Sequence, residues 1–442
     1  MARRRRKRLP EGSFPAHIDD LSHDGRGVAR VEGKAVFIDG ALPGEAVRFV
    51  YRARYRHYDE GQVVEVLQPS PDRVAPRCAH AGICGGCSLQ HLRPEAQILA
   101  KDRLLRDNLE RIGGVAPARW LSPLTGPLWG YRHKARLGVK YVPRKGGVLV
   151  GFREKRSSYV ARLERCEVLH PQVGERLPAL ADLIGQLSVR DRIPQIEVAV
   201  GDGPAALVLR HLAPLPESDR ARLRAFAAAS ELQLYLQPGG PETVTPLWPE
   251  APVLSYTLPE SDLTLSFEPT DFTQVNPAMN RRMLAQALDL LDPGPEDRVL
   301  DLFCGLGNFT LPLARRARQV TGVEGEAGLV QRARDNAARN GITNAEFHLA
   351  NLMQDVSGAP WLGRDYEGIL LDPPRSGAQE VIPHVARLGA RRILYVSCHP
   401  ASLARDAGLL VRAHGYRLVV AGVMDMFPHT AHVESMALFE SP

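Results

Sequence analysis

A chain of 442 residues, 44% hydrophobic and 24% charged, has the balance of a globular protein of two to four domains. No apolar run is long enough to span a bilayer, no apolar segment follows the basic N-terminus, and six unevenly spread cysteines do not form a small secreted disulfide scaffold. The expected address is cytoplasmic. Formal net charge is +6, and the run Arg3 to Arg8 supplies six positive charges, so the rest of the chain is neutral on balance.

Residues 1–12 form a basic arm of the kind that is disordered alone and grips nucleic acid; a solubilising tail has the same composition. Residues 13–70 alternate short apolar runs with Gly and Asp turns, which predicts about five strands closed into a small OB-like barrel. Arg52, Arg54 and Arg56 with Tyr51 and Tyr55 would make an oligonucleotide-binding face, although a barrel with no ligand is the plainer alternative. Residues 71–93 carry Cys78-x5-Cys84-Gly-Gly-Cys87, and a fourth cysteine, Cys166, lies far downstream. Structural zinc usually pairs two C-x2-C knuckles, and one is present here. The layout is nearer to a plant-type iron–sulfur arrangement, with zinc as the alternative.

Residues 94–268 read as a β-rich middle domain opened by an amphipathic helix over 94–112, which could instead dock on the catalytic domain. Ile98, Leu105, Leu109 and Ile112 follow helical spacing, and Gly113-Gly114 ends the pattern. From Trp129 to Arg162 there are ten Lys or Arg residues opposed by Glu154 alone, with Tyr131, Tyr141, Phe152 and Tyr159 interleaved. A solvated surface usually mixes signs, so this stretch suits phosphate contacts combined with base stacking.

Residues 269–442 alternate apolar strand-like runs with helical stretches (281–291, 327–340, 402–413). That pattern predicts a Rossmann-like α/β domain with a parallel sheet, whose ligands bind beyond the carboxyl ends of the strands. Asp301-Leu-Phe-Cys-Gly-Leu-Gly-Asn-Phe-Thr opens the first crossover. Glu324 ends the second strand and could take two ribose hydroxyls. Thr310 replaces the third glycine of a dinucleotide fingerprint, which favours a smaller adenosyl ligand. Cys304 within this turn reads as packing. Asp372, in Asp-Pro-Pro-Arg, and Cys398, in Val-Ser-Cys-His-Pro, each follow a strand and should edge one crevice. His432-Val-Glu434 alternates, so both polar side chains share a face; a surface ion pair would explain it equally well.

Taken together, Cys-x5-Cys-Gly-Gly-Cys, Asp271-Phe-Thr-Gln-Val-Asn, Asp301-Leu-Phe-Cys-Gly-Leu-Gly-Asn-Phe, Asp372-Pro-Pro-Arg, Val396-Ser-Cys-His-Pro and His432-Val-Glu434 resemble the RNA uracil-C5 methyltransferases along nearly the whole chain. The N-terminal barrel resembles a TRAM domain, and barrel plus cysteine cluster is similar to the branch acting on 23S rRNA. This resemblance implies S-adenosylmethionine (SAM) as methyl donor and a [4Fe–4S] cluster on Cys78, Cys84, Cys87 and Cys166. It implies a donor pocket of Gln274, Phe303, Asn308, Glu324, Asn351 and Asp372, with Cys398 as nucleophile and Glu434 as base. The implied partner is 23S rRNA, free or in a ribosome assembly intermediate, with no membrane and no obligatory protein partner. Phe272 would wall a flipped base. Two rivals stand beside this reading. An enzyme methylating exocyclic nitrogens would use the Asp-Pro-Pro loop, but Arg375 occupies its aromatic position. A non-catalytic RNA clamp would need only barrel and cluster.

Overall fold

The computed structural model describes residues 9–441, so the Arg3 to Arg8 arm lies outside the described residues. The chain forms two compact units. One comprises the chain up to Lys101 with 154–157 and 427–432; the other comprises 102–153, 158–426 and 433 onwards.

In the first unit, six strands form one sheet: Phe14–His17, Asp20–Leu21, Gly27–Val31, Lys34–Asp39, Ala46–Arg54 and Tyr58–Gln68. That is one more than the apolar runs predict, because Asp20–Leu21 is too short to show a period. Ile18, Ala29, Val36, Ile38, Val47 and Phe49 fill its core. Gly61 is required there, since a Cβ would stand 2.6 Å from the Phe49 ring. Beyond the last strand, Arg73 is tied back to the barrel: it pairs with the fully buried Glu45 at 2.5 Å and donates to the Gly40 carbonyl at 2.7 Å. The cysteine loop follows, braced where Cys78 N–H donates to Gln90 Oε1 (3.1 Å) and Cys84 N–H to the His80 carbonyl (2.8 Å). Segment 427–432 is held by the same unit. Gln97 Oε1 accepts the His429 N–H at 2.8 Å, while Ser88 and Leu89 N–H both donate to the His429 carbonyl.

The second unit contains two larger sheets. The middle one has six strands, in which Lys134–Val142 lies between Gly147–Gly151 and Gln195–Ala199. Helices Leu177–Gly185 and Glu217–Ala229 accompany it, so this region is α+β. The other sheet has eight strands: β1 (Arg119–Trp120), β2 (Arg298–Leu302), β3 (Gln319–Glu324), β4 (Ala345–Leu349), β5 (Gly368–Leu371), β6 (Arg392–Ser397), β7 (Arg417–Met424) and β8 (Glu434–Glu440). Their order is β4-β3-β2-β5-β6-β8-β7-β1, and β8 alone runs antiparallel to its neighbours. The strand direction reverses only at β8, which follows β7 through the helix-free connection 425–433 instead of a crossover helix. Buried Val299, Leu300, Ile369, Leu370, Ile393 and Leu394 make the centre apolar on both faces, as a sheet covered by helices requires.

Five helices flank this sheet: α1 (Pro277–Leu291), α2 (Thr310–Ala314), α3 (Ala327–Arg339), α4 (Ile382–Arg387) and α5 (Pro400–His414). The sequence places the start of α1 four residues late because Pro277 at the first turn is compatible with helix and Asn276 caps it, accepting the Met279 N–H at 3.2 Å. The helix Pro94–Asn108 ends in a π-helical turn, Leu109–Gly113, stopped by left-handed Gly114. Gly113 lies so close to α5 that a Cβ would stand 2.6 Å from the Ala404 carbonyl oxygen.

Candidate active site

The chain order reverses between β2 and β5, and the chemistry-bearing loops gather at the carboxyl ends of these strands and their neighbours. After β2 the backbone enters left-handed conformations at Phe303 (φ 65°), Gly305 (φ 56°) and Gly307 (φ 95°). Phe303 is not a residue that favours this region, and N–H bonds from Phe303 and Cys304 to the Val323 carbonyl (2.9 and 3.1 Å) hold it. Glu324 closes the turn: one carboxylate oxygen accepts the Gly305 N–H at 3.0 Å, the other the Gly325 N–H at 2.7 Å. Its carboxylate is thereby fixed at the strand end, where an adenosyl ribose is met in this sheet type. Asn351 follows β4, next to Ala350, whose N–H donates to the Glu324 carbonyl at 2.9 Å.

Beneath the turn, Asp301 is fully buried and accepts the Thr310 hydroxyl at 2.5 Å. Burial raises its carboxyl to about 7; the Thr310 bond opposes this and the Glu324 charge adds to it. Cys304 is 5% exposed, and its sulfur would lie 3.0 Å from a Cβ on Gly322, which fits a packing role. Asn308 is less open than the sequence suggests. Its amide exchanges two 2.9 Å bonds with Asn280 on α1 and accepts the Tyr256 hydroxyl at 2.9 Å. Asn280 and Tyr256 carry no local sequence signal, since they lie 28 and 52 residues away.

Gln274 sits in a loop fixed at both ends. Asp271 accepts the Glu268 N–H (2.7 Å) and pairs with Arg332 on α3; Val275 accepts from His133 N–H at 2.8 Å. Asn276 caps α1 and also donates to the Met426 carbonyl at 3.4 Å. Phe272, between these anchors, is 67% exposed.

Cys398 directly follows β6, and the pairing Ser397↔Ser435 sets it beside the start of β8. Its sulfur and a Glu434 carboxylate oxygen lie within 4.8 Å of one another. The thiol is half-buried and Glu434 buried. Burial pushes the thiol up to about 11, the charges of Glu434 and Asp372 add to this, and Arg375 opposes it. Asp372 is itself pushed well above the carboxylate range by burial and by Glu434 and Asp301; its N–H donates to the Leu302 carbonyl at 3.3 Å, joining the β2 and β5 loops.

Cys78, Cys84 and Cys87 share the loop of the first unit, where Gly86 N–H donates to Cys84 Sγ at 3.4 Å. Cys166 belongs to the second unit, and its N–H donates to the Gly174 carbonyl at 2.9 Å. None of the six cysteines is in a disulfide.

Strand order, the antiparallel β8, and a carboxylate at the end of β3 together define a Rossmann-like methyltransferase fold. Residues 254–441 match the tRNA (Uracil-5-)-methyltransferase family model, and 13–48 match the TRAM domain. The chain is 58% identical over 438 residues to a 23S rRNA (uracil(1939)-C(5))-methyltransferase RlmD of Alkalilimnicola ehrlichii, covering 99% of this chain and 98% of that one. It is 56% identical over 439 residues to RlmD of Alcanivorax borkumensis, at 99% and 98% coverage. The fold is also that of the Pyrococcus abyssi tRNA (uracil-54, C5)-methyltransferase solved with S-adenosyl-L-homocysteine: TM-score 0.73, 23% identity, 96% of this chain and 100% of that one. The chain belongs to the family of RNA uracil-5-methyltransferases, on the branch that carries the RlmD name.

Proposed function

We propose that this enzyme transfers the methyl group of SAM to C5 of one uridine in 23S rRNA, the position numbered 1939 in its relatives' names. The observation that carries the reading is the meeting of the Cys398 thiol and the Glu434 carboxylate at the carboxyl edge of a methyltransferase sheet.

Uracil C5 is a poor nucleophile because its double bond is conjugated to the C4 carbonyl. The Cys398 thiol first gives up its proton to solvent; bond formation between the thiolate Sγ and C6 then moves the electron pair onto O4 as an enolate, and C5 becomes electron-rich. C5 then takes the methyl carbon from the sulfonium, and S-adenosylhomocysteine leaves. Glu434 removes the C5 proton, the C5–C6 double bond re-forms, and the Cys398–C6 bond breaks. The base must leave its stack to reach this crevice. Glu324 and Asn351 would receive the ribose end of the donor, and Gln274, Phe303, Asn308 and Asp372 would line the rest of its pocket. A nitrogen methyltransferase has no use for a thiol set against a carboxylate, which disfavours that rival.

The Cys78-x5-Cys84-x2-Cys87 spacing on one loop, and the Gly86 N–H donated to Cys84 Sγ, suit thiolate ligation together with Cys166. We assign them to a [4Fe–4S] cluster that supports fold and RNA placement, since the methylation needs no redox step. No helix among the described residues is long and apolar enough to cross a membrane, and we place the enzyme in the cytoplasm with its rRNA, free or in an assembly intermediate.

The decisive experiment incubates the protein with 5-fluorouridine RNA and SAM. A covalent adduct that disappears in Cys398→Ala supports the mechanism; an adduct that survives it, or none with wild type, rejects it. Anaerobically purified protein should carry iron and sulfide, and stoichiometric zinc without iron would replace the cluster assignment.

A further inference from the structure

Asp406, on the second turn of α5, is fully buried and lies outside the motifs that carry the chemistry. Its Oδ2 accepts the Tyr395 hydroxyl at 2.7 Å and the Ala378 N–H at 2.8 Å. Tyr395 is on β6, three residues before Cys398. Ala378 ends the loop that carries Asp372 and Arg375. One carboxylate oxygen therefore ties the nucleophile's strand to the opposing wall of the crevice.

Neighbouring side chains of the same helix complete the grip. Ser402 Oγ donates to the Arg375 carbonyl at 2.6 Å, and Arg405 donates to the Ser376 carbonyl at 2.8 Å while pairing with Asp406 at 2.7 Å. His399 Nδ1 meets Ser402 Oγ at 2.8 Å, which links the residue after Cys398 to the same cluster. The fit leaves no slack. Gly377 has φ 86°, and a Cβ there would stand 2.5 Å from Asp406 Oδ2. Three backbone groups between Arg375 and Ala378 of a proline-stiffened loop are thus satisfied by α5 rather than by the sheet. A buried carboxylate is costly to keep without such partners, and a purely structural core could fill this place with apolar side chains.

We propose that Asp406 is a positioning residue: through Tyr395 and Ala378 it sets the distance between Cys398 and the loop bearing Asp372 and Arg375, and so keeps the Arg375 charge against the nucleophile. This rests on Cys398 being the nucleophile, but it is testable on the thiol alone. Arg375 is the cation that opposes the two carboxylates around that sulfur, so slack in the loop weakens it.

The test uses the full-length protein with Tyr395→Phe, Arg375→Ala and the double variant. Tyr395→Phe removes one bond and no charge, so it should fold where Asp406→Asn could fail. The expected result is a kcat about tenfold below wild type, with KM for RNA and for SAM within about twofold. Alkylation of Cys398 by iodoacetamide at fixed pH, read by peptide mass, slows in Tyr395→Phe and in Arg375→Ala. The double variant is no slower than Arg375→Ala alone, because both act through one cation. A lowered Tm with kcat and Cys398 alkylation unmoved would make Asp406 merely structural, and independent, additive losses would overturn the route through Arg375. Because alkylation needs no uracil, this outcome is separable from failure of the nucleophile assignment, which the 5-fluorouridine adduct reads.

Discussion

The Cys398 sulfur and the Glu434 carboxylate, within 4.8 Å of one another, share a crevice with the raised carboxyl of Asp372. Burial first, and then these negative charges, hold the resting thiol up to about 11, so it is protonated at neutral pH. Glu434→Gln removes one of those charges and the proposed base together. Its Cys398 should alkylate faster than wild type at pH 8, while turnover falls by about 10²–10⁴. The adduct with unmodified RNA and SAM should accumulate, visible as a shifted band on denaturing gels. Slower alkylation with normal turnover would contradict the assignment.

Acid should destabilise the fold through His133. Burial, and then His170, lower this imidazole to about 4. The unfolded chain therefore binds more protons between about 6.5 and 4. Stability present above 6.5 is lost as pH falls through that window, by up to about 3 kcal/mol. His133→Gln should flatten the acid side of a Tm-against-pH curve.

Asp301 has the opposite sign. Its folded carboxyl is raised to about 7 from the ordinary 3.8, so the folded state binds more protons between these values. Stability falls as pH rises through that window. Asp301→Asn should remove the decline, so the difference in Tm between variant and wild type should grow from pH 4 to pH 7. Constant spacing of the two curves would reject this.

Arg73→Ala should loosen the barrel. Glu45 is 0% exposed, and Arg73 is its cationic partner, alongside the Leu42 and Ser70 N–H groups. Removing the guanidinium leaves an uncompensated buried carboxylate, at a cost of about 3–5 kcal/mol. Hydrogen exchange should accelerate over residues 40–73 and leave the eight-stranded sheet unchanged.

Asn280→Ala should weaken binding in the proposed donor pocket and leave Cys398 untouched. The reciprocal amide bonds fix Asn308, and their loss costs about 1–3 kcal/mol in a buried setting. Calorimetry with S-adenosylhomocysteine should show a Kd raised about tenfold, with unchanged Cys398 alkylation.

The parallel sheet and its crevice were legible because β2, β3, β5 and β6 are continuous apolar runs, each ending in a polar motif. Cys398 and Glu434 can be paired in advance only through the family resemblance, since His432-Val-Glu434 alone reads equally well as a surface ion pair; the neighbouring β6 and β8 bring the two together. What the sequence hides is contact between distant segments. Asn280 and Tyr256 look like ordinary surface-polar or core residues until α1 and the hairpin Ser255–Leu258 with Leu263–Ser266 converge on Asn308. Two-residue strands such as Asp20–Leu21 and Arg119–Trp120 are shorter than any period. Arg332 is one cation among several on α3 until the fold brings Asp271 to it.

The connection between β7 and β8 passes through the first unit, where Gln97, Ser88 and Leu89 hold His429 in a left-handed conformation, φ 66°. One residue, Val433, separates that unit's last member, His432, from Glu434, the first residue of β8. The methyltransferase sheet is therefore not a cassette that can be excised by cutting near residue 101. Such a fragment would keep the strand that delivers Glu434 but lose every hydrogen bond that Gln97, Ser88 and Leu89 give to the turn before it.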